Sequence, residues 1–551
     1  MPQYPKNDLA QLVIASCVAH DIAHVIISPG SRNAPLTIGF ANYKEVKTFS
    51  IVDERAAAFF ALGLAQQLRK PVALVCTSGS ALLNYYPAIA EAFYSDIPLV
   101  VISADRPNHL IDIGDGQTLR QENVFSNHIV GSANLEENFE KNKDLLVKVL
   151  QQCILENGPI HINVPFDEPL YELTNTIKVL DKAKLRIEET PLDVDELQKY
   201  ADIWNGSAKK MVLVGTSFPD ELLQIQLNKI IEDESVIVLT ETTSNLVNSQ
   251  YINGIDRAIF PLNSEDLEDL KPEILLTFGG MVVSKKVKQF LRNHKPKHHW
   301  HVDSKKAFDT YFSLTKHFGI SPQLFFSQFF FLTQNVQSNY QRLWLNIKRE
   351  RIEKHKEFID ECEFSDLKVF ETVLKSIPKN AQLQLSNSSI IRYTQLFDLD
   401  PSLKVFCNRG TSGIDGSTST AIGASLIHKE STVFVTGDIS FLYDSNALWN
   451  NDIRSDFRVI IINNDGGGIF KFIPGPKETN ALSYFETPHG LDASYLAKMF
   501  GFEYEKVEDV IGLEKSLEQF YKGSEHPKIL EVCTPSQLND LILKSYFKSL
   551  K

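Results

Sequence analysis

Cysteine is scarce and scattered in this chain of 551 residues. The six, Cys17, Cys76, Cys153, Cys362, Cys407 and Cys533, lie more than forty residues apart and never in C-x-x-C spacing. That excludes a zinc pattern and a secreted disulfide scaffold, and it fits isolated thiols in a reducing compartment. Long apolar runs are missing too. The greasiest stretch, LFFSQFFFL at 324–332, is far shorter than the ~20 residues a spanning helix needs. Near the start, Gln11 and Ser16 interrupt the apolar run of a helix expected over 8–20, a poor match to a secretory signal. The expectation is a cytoplasmic protein with no membrane insertion. There is no Lys/Arg-rich block, and 56 basic against 69 acidic residues give a net charge of −13. Nucleic acid is therefore not an expected partner, although a local arginine cluster can still hold small anions. Low-complexity tracts and short-period repeats are also absent.

What is present is an ordinary globular composition, 43% hydrophobic and 23% charged. At roughly 100–200 residues per domain the length suggests about three domains. Short β-rich runs at 24–28, 48–52, 72–76, 99–103 and 159–164 alternate with helical patterns such as 55–69 and 81–94. The same alternation returns with strands expected at 211–214, 236–239, 274–278 and 300–302, and again at 405–407, 432–436, 459–462 and 528–532. A charged stretch over 171–195 reads as one linker, and a charged helical run over 341–363 as the second connector. Buried strands alternating with helices indicate parallel sheets covered on both faces. The expected fold class is α/β, with three doubly wound, mainly parallel-sheet domains over 1–180, 190–340 and 360–551.

In such sheets functional groups sit in the loops after strand C-termini. In the first domain those loops read Pro29-Gly30-Ser31-Arg32, Asp53-Glu54-Arg55, Thr77-Ser78-Gly79-Ser80 and Ala104-Asp105-Arg106-Pro107. In the third domain Gly437-Asp438 follows one strand and Asn463-Asn464 follows the next, with twenty-four residues between Asp438 and Asn463. Those residues hold a helix expected over 442–451 and the second strand. A right-handed crossover brings both loops to one sheet edge. The Asp438 carboxylate and the Asn464 amide oxygen are hard ligands of the kind Mg²⁺ takes when it shares its sphere with phosphates. The glycines after Asp465 let the backbone approach such a ligand closely. Taken alone, a Gly-Asp and an Asn-Asn pair serve as ordinary helix caps and turns; the strand context and the spacing favour the metal.

The Gly-Asp and Asn-Asn pair, some two dozen residues apart, resembles the signature of the thiamine diphosphate enzymes. The resemblance implies that Asp438, Asn464 and the carbonyl of Gly466 hold Mg²⁺, or Mn²⁺ in its place, on the diphosphate. Ile439 stands where the family commonly has glycine. The family also requires a glutamate on the aminopyrimidine ring, and Glu54, at the start of the helical run 55–69, fits; otherwise it is a helix-N-terminal acid beside the macrodipole. Thr77, Gly79, Ile414, Ile439, Ser440 and Gly467 are the further cofactor-binding positions implied, Ile414 being the apolar prop beneath the bent cofactor.

Several segments narrow the resemblance: SPGSRNAPLT (28–37), DERAAAFFALGLA (53–65), TSGSALLNYYPAIAEA (77–92), SADRPNHLIDIGDGQTLRQ (103–121), SNSSIIR (386–392), CNRGTSGIDGSTSTAIG (407–423), TGDISFLYDSNAL (436–448) and INNDGGGIF (462–470). They are similar to the carboligases of menaquinone biosynthesis within that family. The implied reaction decarboxylates 2-oxoglutarate and adds the succinyl fragment to isochorismate by conjugate addition. Both substrates are dianions, and planar guanidinium groups are natural carboxylate clamps. The matching positions are Arg32, Arg106, Arg392 and Arg409, with Ser31, Gln117 and Ser388 as neutral donors and Ile469 and Phe470 as apolar walls. Glu54, Ser31, Arg32 and Gln117 are the expected catalytic set. Lys286 aligns loosely with a family arginine in the middle domain. Self-association as a homodimer or homotetramer is implied as well. Two other readings remain: a different thiamine diphosphate-dependent 2-oxoacid decarboxylase or carboligase, which need not keep the arginines, and a non-catalytic binding module on the same fold. His294, His298, His299 and His301 have no acidic or cysteine partner at ligand spacing, so no metal is expected there. Nothing argues for a flavin.

Overall fold

Runs of Val, Ile and Leu bounded by glycine and polar turns become the central strands of three parallel sheets. The computed structural model describes residues 3–136, 138–183, 189–473 and 475–551. Edge to edge, the first sheet runs Lys47–Ser50, His24–Ile27, Val72–Cys76, Leu99–Asp105, Ile160–Pro165, Gly131–Asn134, with every neighbouring pair parallel. Numbered along the chain its order is 2-1-3-4-6-5. The third sheet has the same order: Lys404–Cys407, Gln382–Leu385, Thr432–Gly437, Arg458–Asn463, Lys528–Cys533, Glu503–Val507, again parallel throughout. The middle sheet, of five parallel strands between Lys210 and Phe318, is ordered 2-1-3-4-5. A small antiparallel pair joins Tyr4–Pro5 to Leu173–Thr174, so the expected linker begins with a stretch tied back to the N-terminus. Its residues 184–188 lie outside the described residues.

Both faces of the first sheet are dry. Val25, Ile27, Ala73, Val75, Val100 and Ile102 enter one apolar core. Ile26, Leu74, Cys76, Leu99 and Val101 enter another, which also takes Phe434, Val459 and Ile461 from the third sheet. That shared core is built by two buried helices, the first rich in Ala, Phe and Leu and the second made of small Ser, Thr, Ala and Gly residues that allow close approach. In Glu54–Leu68 every residue from Ala56 to Gln66 is buried, and Ser417–Ser425 is buried throughout. They touch backbone to backbone: a Cβ on Gly63 would lie 2.1 Å from the Thr420 carbonyl, and one on Gly423 2.1 Å from the Phe60 carbonyl. This contact fixes the first domain against the third.

The three-domain α/β expectation is borne out; several local ones need correction. The helix expected over 442–451 starts instead at Asp438 and ends at Tyr443, followed by a 3₁₀ turn at Ser445–Leu448. Asp444 turns the chain there, its buried carboxylate accepting bonds from the amide and hydroxyl of Ser419, at 2.7 and 3.0 Å. The run 81–94 divides into Ser80–Asn84 and Tyr86–Tyr94, because Pro87 lacks the donor that a continuous helix needs. Four strands gave no expectation: Gly131–Asn134, Leu314–Phe318, Gln382–Leu385 and Glu503–Val507. Three lie at sheet edges and carry polar residues. The fourth is internal but reads QLQL, with Gln384 reaching Gln66 of the first domain.

Candidate active site

The crevice between strands 1 and 3, where the order of a 2-1-3 sheet reverses, is where such folds bind ligands. In the first domain the loops there lean on each other. A Cβ on Gly30 would stand 2.3 Å from Thr77 Cβ, and one on Gly79, at φ +86°, 3.4 Å from Gln117 Cα. Gln121, which carried no expectation, ties the loops together: its Oε1 accepts from Gly79 N at 3.0 Å, and its Nε2 donates to the Ala104 carbonyl and Asn163 Oδ1. Arg32 is buried beside this crevice, donating to the Phe166 carbonyl at 3.0 Å and pairing with Glu168 at 3.4 Å. Burial, and then the nearby Arg106 guanidinium, make its charge costly. Ser31 and Gln117 are exposed at the rim.

Glu54 opens its helix behind the N-cap Asp53. Burial raises its carboxyl above the usual range, with Asn84 donating to it. A cavity of ≈ 410 Å³ opens beside it, lined by Val52, Asp53, Arg55, Asn84, Asn446 and Trp449. Asn446 donates to Asp53 at 2.7 Å and Arg55 to the Tyr443 carbonyl at 2.7 Å. Among the described residues no hydrogen bond or ion pair joins Glu54 to Asp438 or Asn464 of the same chain.

In the third domain the two metal-ligand loops do converge. Asp438 Oδ2 accepts from Gly466 N at 2.8 Å and lies 3.2 Å from His489 Nε2. The carboxylate holds the His489 ring toward its cationic form. Asn464 donates through Nδ2 to Asp366, while its Oδ1 is buried with no partner. A carboxylate oxygen that already engages the His489 ring, beside an orphaned amide oxygen, is a donor set that fits Mg²⁺. Ser440 Oγ donates to the Ile414 carbonyl at 2.7 Å, placing those two cofactor positions side by side, with Ile439 half-buried next to them. Gly466, at φ +136°, has no room for a Cβ, which would sit 2.3 Å from the Glu486 carbonyl. Gly467 donates to that carbonyl. Ile469 and Phe470 lie in the next turn, Phe470 packing on Phe485 with ring centroids 5.1 Å apart.

A second arginine pair forms where the third domain meets the middle one. Asn387 Nδ2 donates to the carbonyls of Asn408 and Gly413, and its Oδ1 accepts from Arg409 Nη1 at 2.6 Å. Ser388, at φ +67°, holds a strained backbone beside it. Arg392 is half-buried, its charge opposed first by burial and then by Arg409, with Asp256 and Glu241 compensating. Glu241 is buried and accepts from the amides of Val283 and Ser284 at 2.6 and 2.7 Å. Burial pushes it up to about 7. Lys286 lies over an aromatic ring, its ammonium 4.4 Å from the centre of Phe260, and it acts on Asp256 together with Arg392. Lys288, two residues further on, is half-buried and feels Glu241, Arg409 and Arg392. Arg32, Arg106, Arg392 and Arg409 each keep a buried Nε with no partner.

Family models for thiamine pyrophosphate enzymes match the chain three times: the N-terminal TPP-binding domain at 7–129, the middle domain at 186–385 and the C-terminal TPP-binding domain at 389–532. A curated relative from Flavobacterium johnsoniae, named 2-succinyl-5-enolpyruvyl-6-hydroxy-3-cyclohexene-1-carboxylate synthase, is 54% identical over 99% of this chain and 100% of its own. One of the same name from Flavobacterium psychrophilum is 53% identical over the same shares. The chain belongs to this synthase family of thiamine diphosphate enzymes. The crystal structure of benzoylformate decarboxylase from Polynucleobacter necessarius superposes with a TM-score of 0.73, at 15% identity, over 96% of this chain and 98% of that one, and supports the fold alone.

Within a synthase-family chain some residues that hold the site together carry no motif. Glu91 is buried in the first domain, yet its carboxylate accepts from the amides of Gly410 and Thr411, both at 2.6 Å, and from the Thr411 hydroxyl. It locks the loop that carries Arg409. Its one sequence signal is an acid inside the apolar run PAIAEA. Asp366 and Glu241 had no signal, because their partners lie far away in the chain.

Proposed function

We propose that this enzyme decarboxylates 2-oxoglutarate and joins the remaining succinyl fragment to isochorismate by 1,4-addition. The products are 2-succinyl-5-enolpyruvyl-6-hydroxy-3-cyclohexene-1-carboxylate and CO₂. The observation that supports it best is the two arginine pairs, Arg32 with Arg106 and Arg392 with Arg409, of which Arg32 is buried and the others half-buried, each with a buried, unpartnered Nε in a chain of net charge −13. Unpaired buried ions are costly, so such donors suit ligands that carry several carboxylates. A decarboxylase of a monoanionic oxoacid has no need of four.

Thiamine diphosphate supplies the electrophilic centre that stores the electron pair left when the oxoacid loses CO₂. The protein does the rest. Asp438, Asn464 Oδ1 and the Gly466 carbonyl would hold Mg²⁺, and Ile414 would be the apolar support of the cofactor. Glu54, its carboxyl raised by burial, keeps a proton available at the aminopyrimidine ring. The arginines hold the substrate carboxylates, while Ser31, Gln117 and Ser388 orient the neutral oxygens. Ile469 and Phe470 keep water from the reacting carbons.

In our reading the working unit is a homodimer or a dimer of dimers, in the cytoplasm. The cavity at Glu54 is lined by neither Asp438 nor Asn464 of its own chain, and Trp449 and Tyr443 near it are more than half exposed. A second copy brings the two halves of a site together. Product analysis with 2-oxoglutarate, isochorismate, thiamine diphosphate and Mg²⁺ tests the assignment. The adduct is expected; succinic semialdehyde alone would mark a simple decarboxylase, and no CO₂ release a binding module.

A further inference from the structure

The one orphaned oxygen among the metal ligands, Asn464 Oδ1, owes its direction to a buried ring of hydrogen bonds. Asp366, Asn464, Thr534 and Asn539 are all buried, and they come from four separate places: a helix start, the loop after strand 4, the end of strand 6 and the start of the last helix. The ring has a single polarity. The backbone amide of Asp366 donates to Asn539 Oδ1 at 2.8 Å, which turns Asn539 Nδ2 toward Thr534 Oγ1 at 3.2 Å. With that lone pair occupied, the Thr534 hydroxyl donates to Asp366 Oδ1 at 2.6 Å. The other carboxylate oxygen, Oδ2, is left to accept, and the Asn464 amide meets it with Nδ2 at 2.9 Å. An amide has one donor end and one acceptor end. Once Nδ2 is committed to Asp366, Oδ1 must face away from that carboxylate, and it is buried there with no protein partner.

We infer that Asp366 is the positioning residue of the metal site: through the Thr534–Asn539 ring it sets the Asn464 amide with its oxygen toward the cation. The inference rests on the reading of Asn464 as a metal ligand. Asp366 touches neither the metal nor the cofactor. It acts as an outer-sphere carboxylate does in many metal sites, where removal costs roughly tenfold to a hundredfold in metal affinity. It also brings a second carboxyl close to Asp438; burial first of all, with the Asp438 charge adding to it, holds the Asp366 carboxyl above the usual carboxylate range.

The ring makes an unusual test available. In Asp366→Asn the Thr534 hydroxyl still needs an acceptor and claims the new amide oxygen. The new NH₂ then faces Asn464 and forces its amide over, so that NH₂ replaces oxygen toward the cation. Thr534→Val removes that claim and lets the residue-366 amide turn back. Mg²⁺ titrations by calorimetry, on full-length protein with thiamine diphosphate present, should show Asp366→Asn weakened by about tenfold or more and Thr534→Val near wild type. The double variant should recover most of the loss. A merely structural role predicts the reverse order, the double variant binding worst. Wild-type affinity in Asp366→Asn, or no recovery in the double variant, overturns the inference. Asn464→Ala is run in parallel. If it too leaves Mg²⁺ affinity unchanged, the ligand assignment itself has failed; if it weakens binding while Asp366→Asn does not, only the positioning role has.

Discussion

The first and third domains share a strand order, 2-1-3-4-6-5, and carry similar chemistry after strand 1 but different chemistry in the other matching loops. After strand 1 the first domain places Ser31 and Arg32, the third Ser388 and, a turn later, Arg392. After strand 2 stand Glu54 in one and Arg409 in the other. After strand 3 the first has the small residues Thr77 to Ser80, the third Asp438. After strand 4 come Arg106 and Asn464. One architecture thus serves twice, carrying an acid and a pair of cations in the first domain, and a second pair of cations with the proposed metal ligands in the third. The sheet decides where a functional group stands, and the loop decides what it is. No repeat was visible in the sequence because buried parallel strands ask only for apolar residues, which many unrelated runs of Val, Ile and Leu satisfy.

The sharpest way to break that comparison is to disable each half separately. Asp438→Ala should abolish Mg²⁺-dependent binding of thiamine diphosphate while leaving the fold intact. Unchanged cofactor affinity by calorimetry would sink the assignment of the third domain as the metal holder. Glu54→Gln should instead keep cofactor affinity and lose turnover, because the glutamine cannot hold the proton. If each site combines the first domain of one chain with the third domain of another, mixing the two variants should restore activity through heterodimers with one intact site. No recovery after proven subunit exchange would place both halves within one chain.

The strands and the site loops were largely legible because each depends on local pattern: an apolar run such as 274–278, or Asp438 and Asn464 set by spacing on successive strands. What stayed illegible depends on distance. Gln382–Leu385 hides as QLQL because its glutamines serve an interface with Gln66, more than three hundred residues away. Glu91 and Asp366 look like solvent-facing acids in the sequence, yet both are buried. Their partners are backbone amides of another domain in one case and a threonine 168 residues away in the other. Neither hydrophobic period nor motif spacing encodes such a partnership.

Next in size come the arginines. Changing Arg32, Arg106 or Arg409 to Ala should raise KM for a substrate sharply, since losing a charged, hydrogen-bonded partner is worth about 2–5 kcal/mol. Cofactor affinity should hardly move, because the Mg²⁺ ligands lie on different loops. Arg→Lys should recover only part of the loss where the clamp is bidentate. Steady-state kinetics for each substrate decides it, and wild-type constants in all three Ala variants would remove the clamp from the mechanism. The two pairs should also differ: Arg32 and Arg106 are held by first-domain groups alone, whereas Arg409 depends on Glu91 and Asn387, so Glu91→Gln should resemble a mild Arg409 defect.

The smallest effect expected separates two neighbouring lysines. Sequence similarity points to Lys286, but its ammonium lies over Phe260 and helps to offset the charge of Asp256. Lys288 stands two residues further along the same helix. Burial lowers its pKa first of all, and Arg409, Arg292 and Arg392 lower it further against the pull of Glu241. A cation kept half-buried among arginines gains most when an anion arrives, so Lys288→Gln should raise KM for a dianionic substrate several-fold and leave kcat near wild type. Lys286→Gln should change KM less and cost mainly stability. The pH dependence has a definite sign. A lysine with a depressed pKa loses its charge at a lower pH than an exposed one, so wild-type KM should climb on the alkaline side. Lys288→Arg, whose guanidinium stays charged, should flatten that climb. If Lys286→Gln produces the larger KM effect and the alkaline limb is unchanged in Lys288→Arg, the sequence alignment reads this helix better than the geometry does.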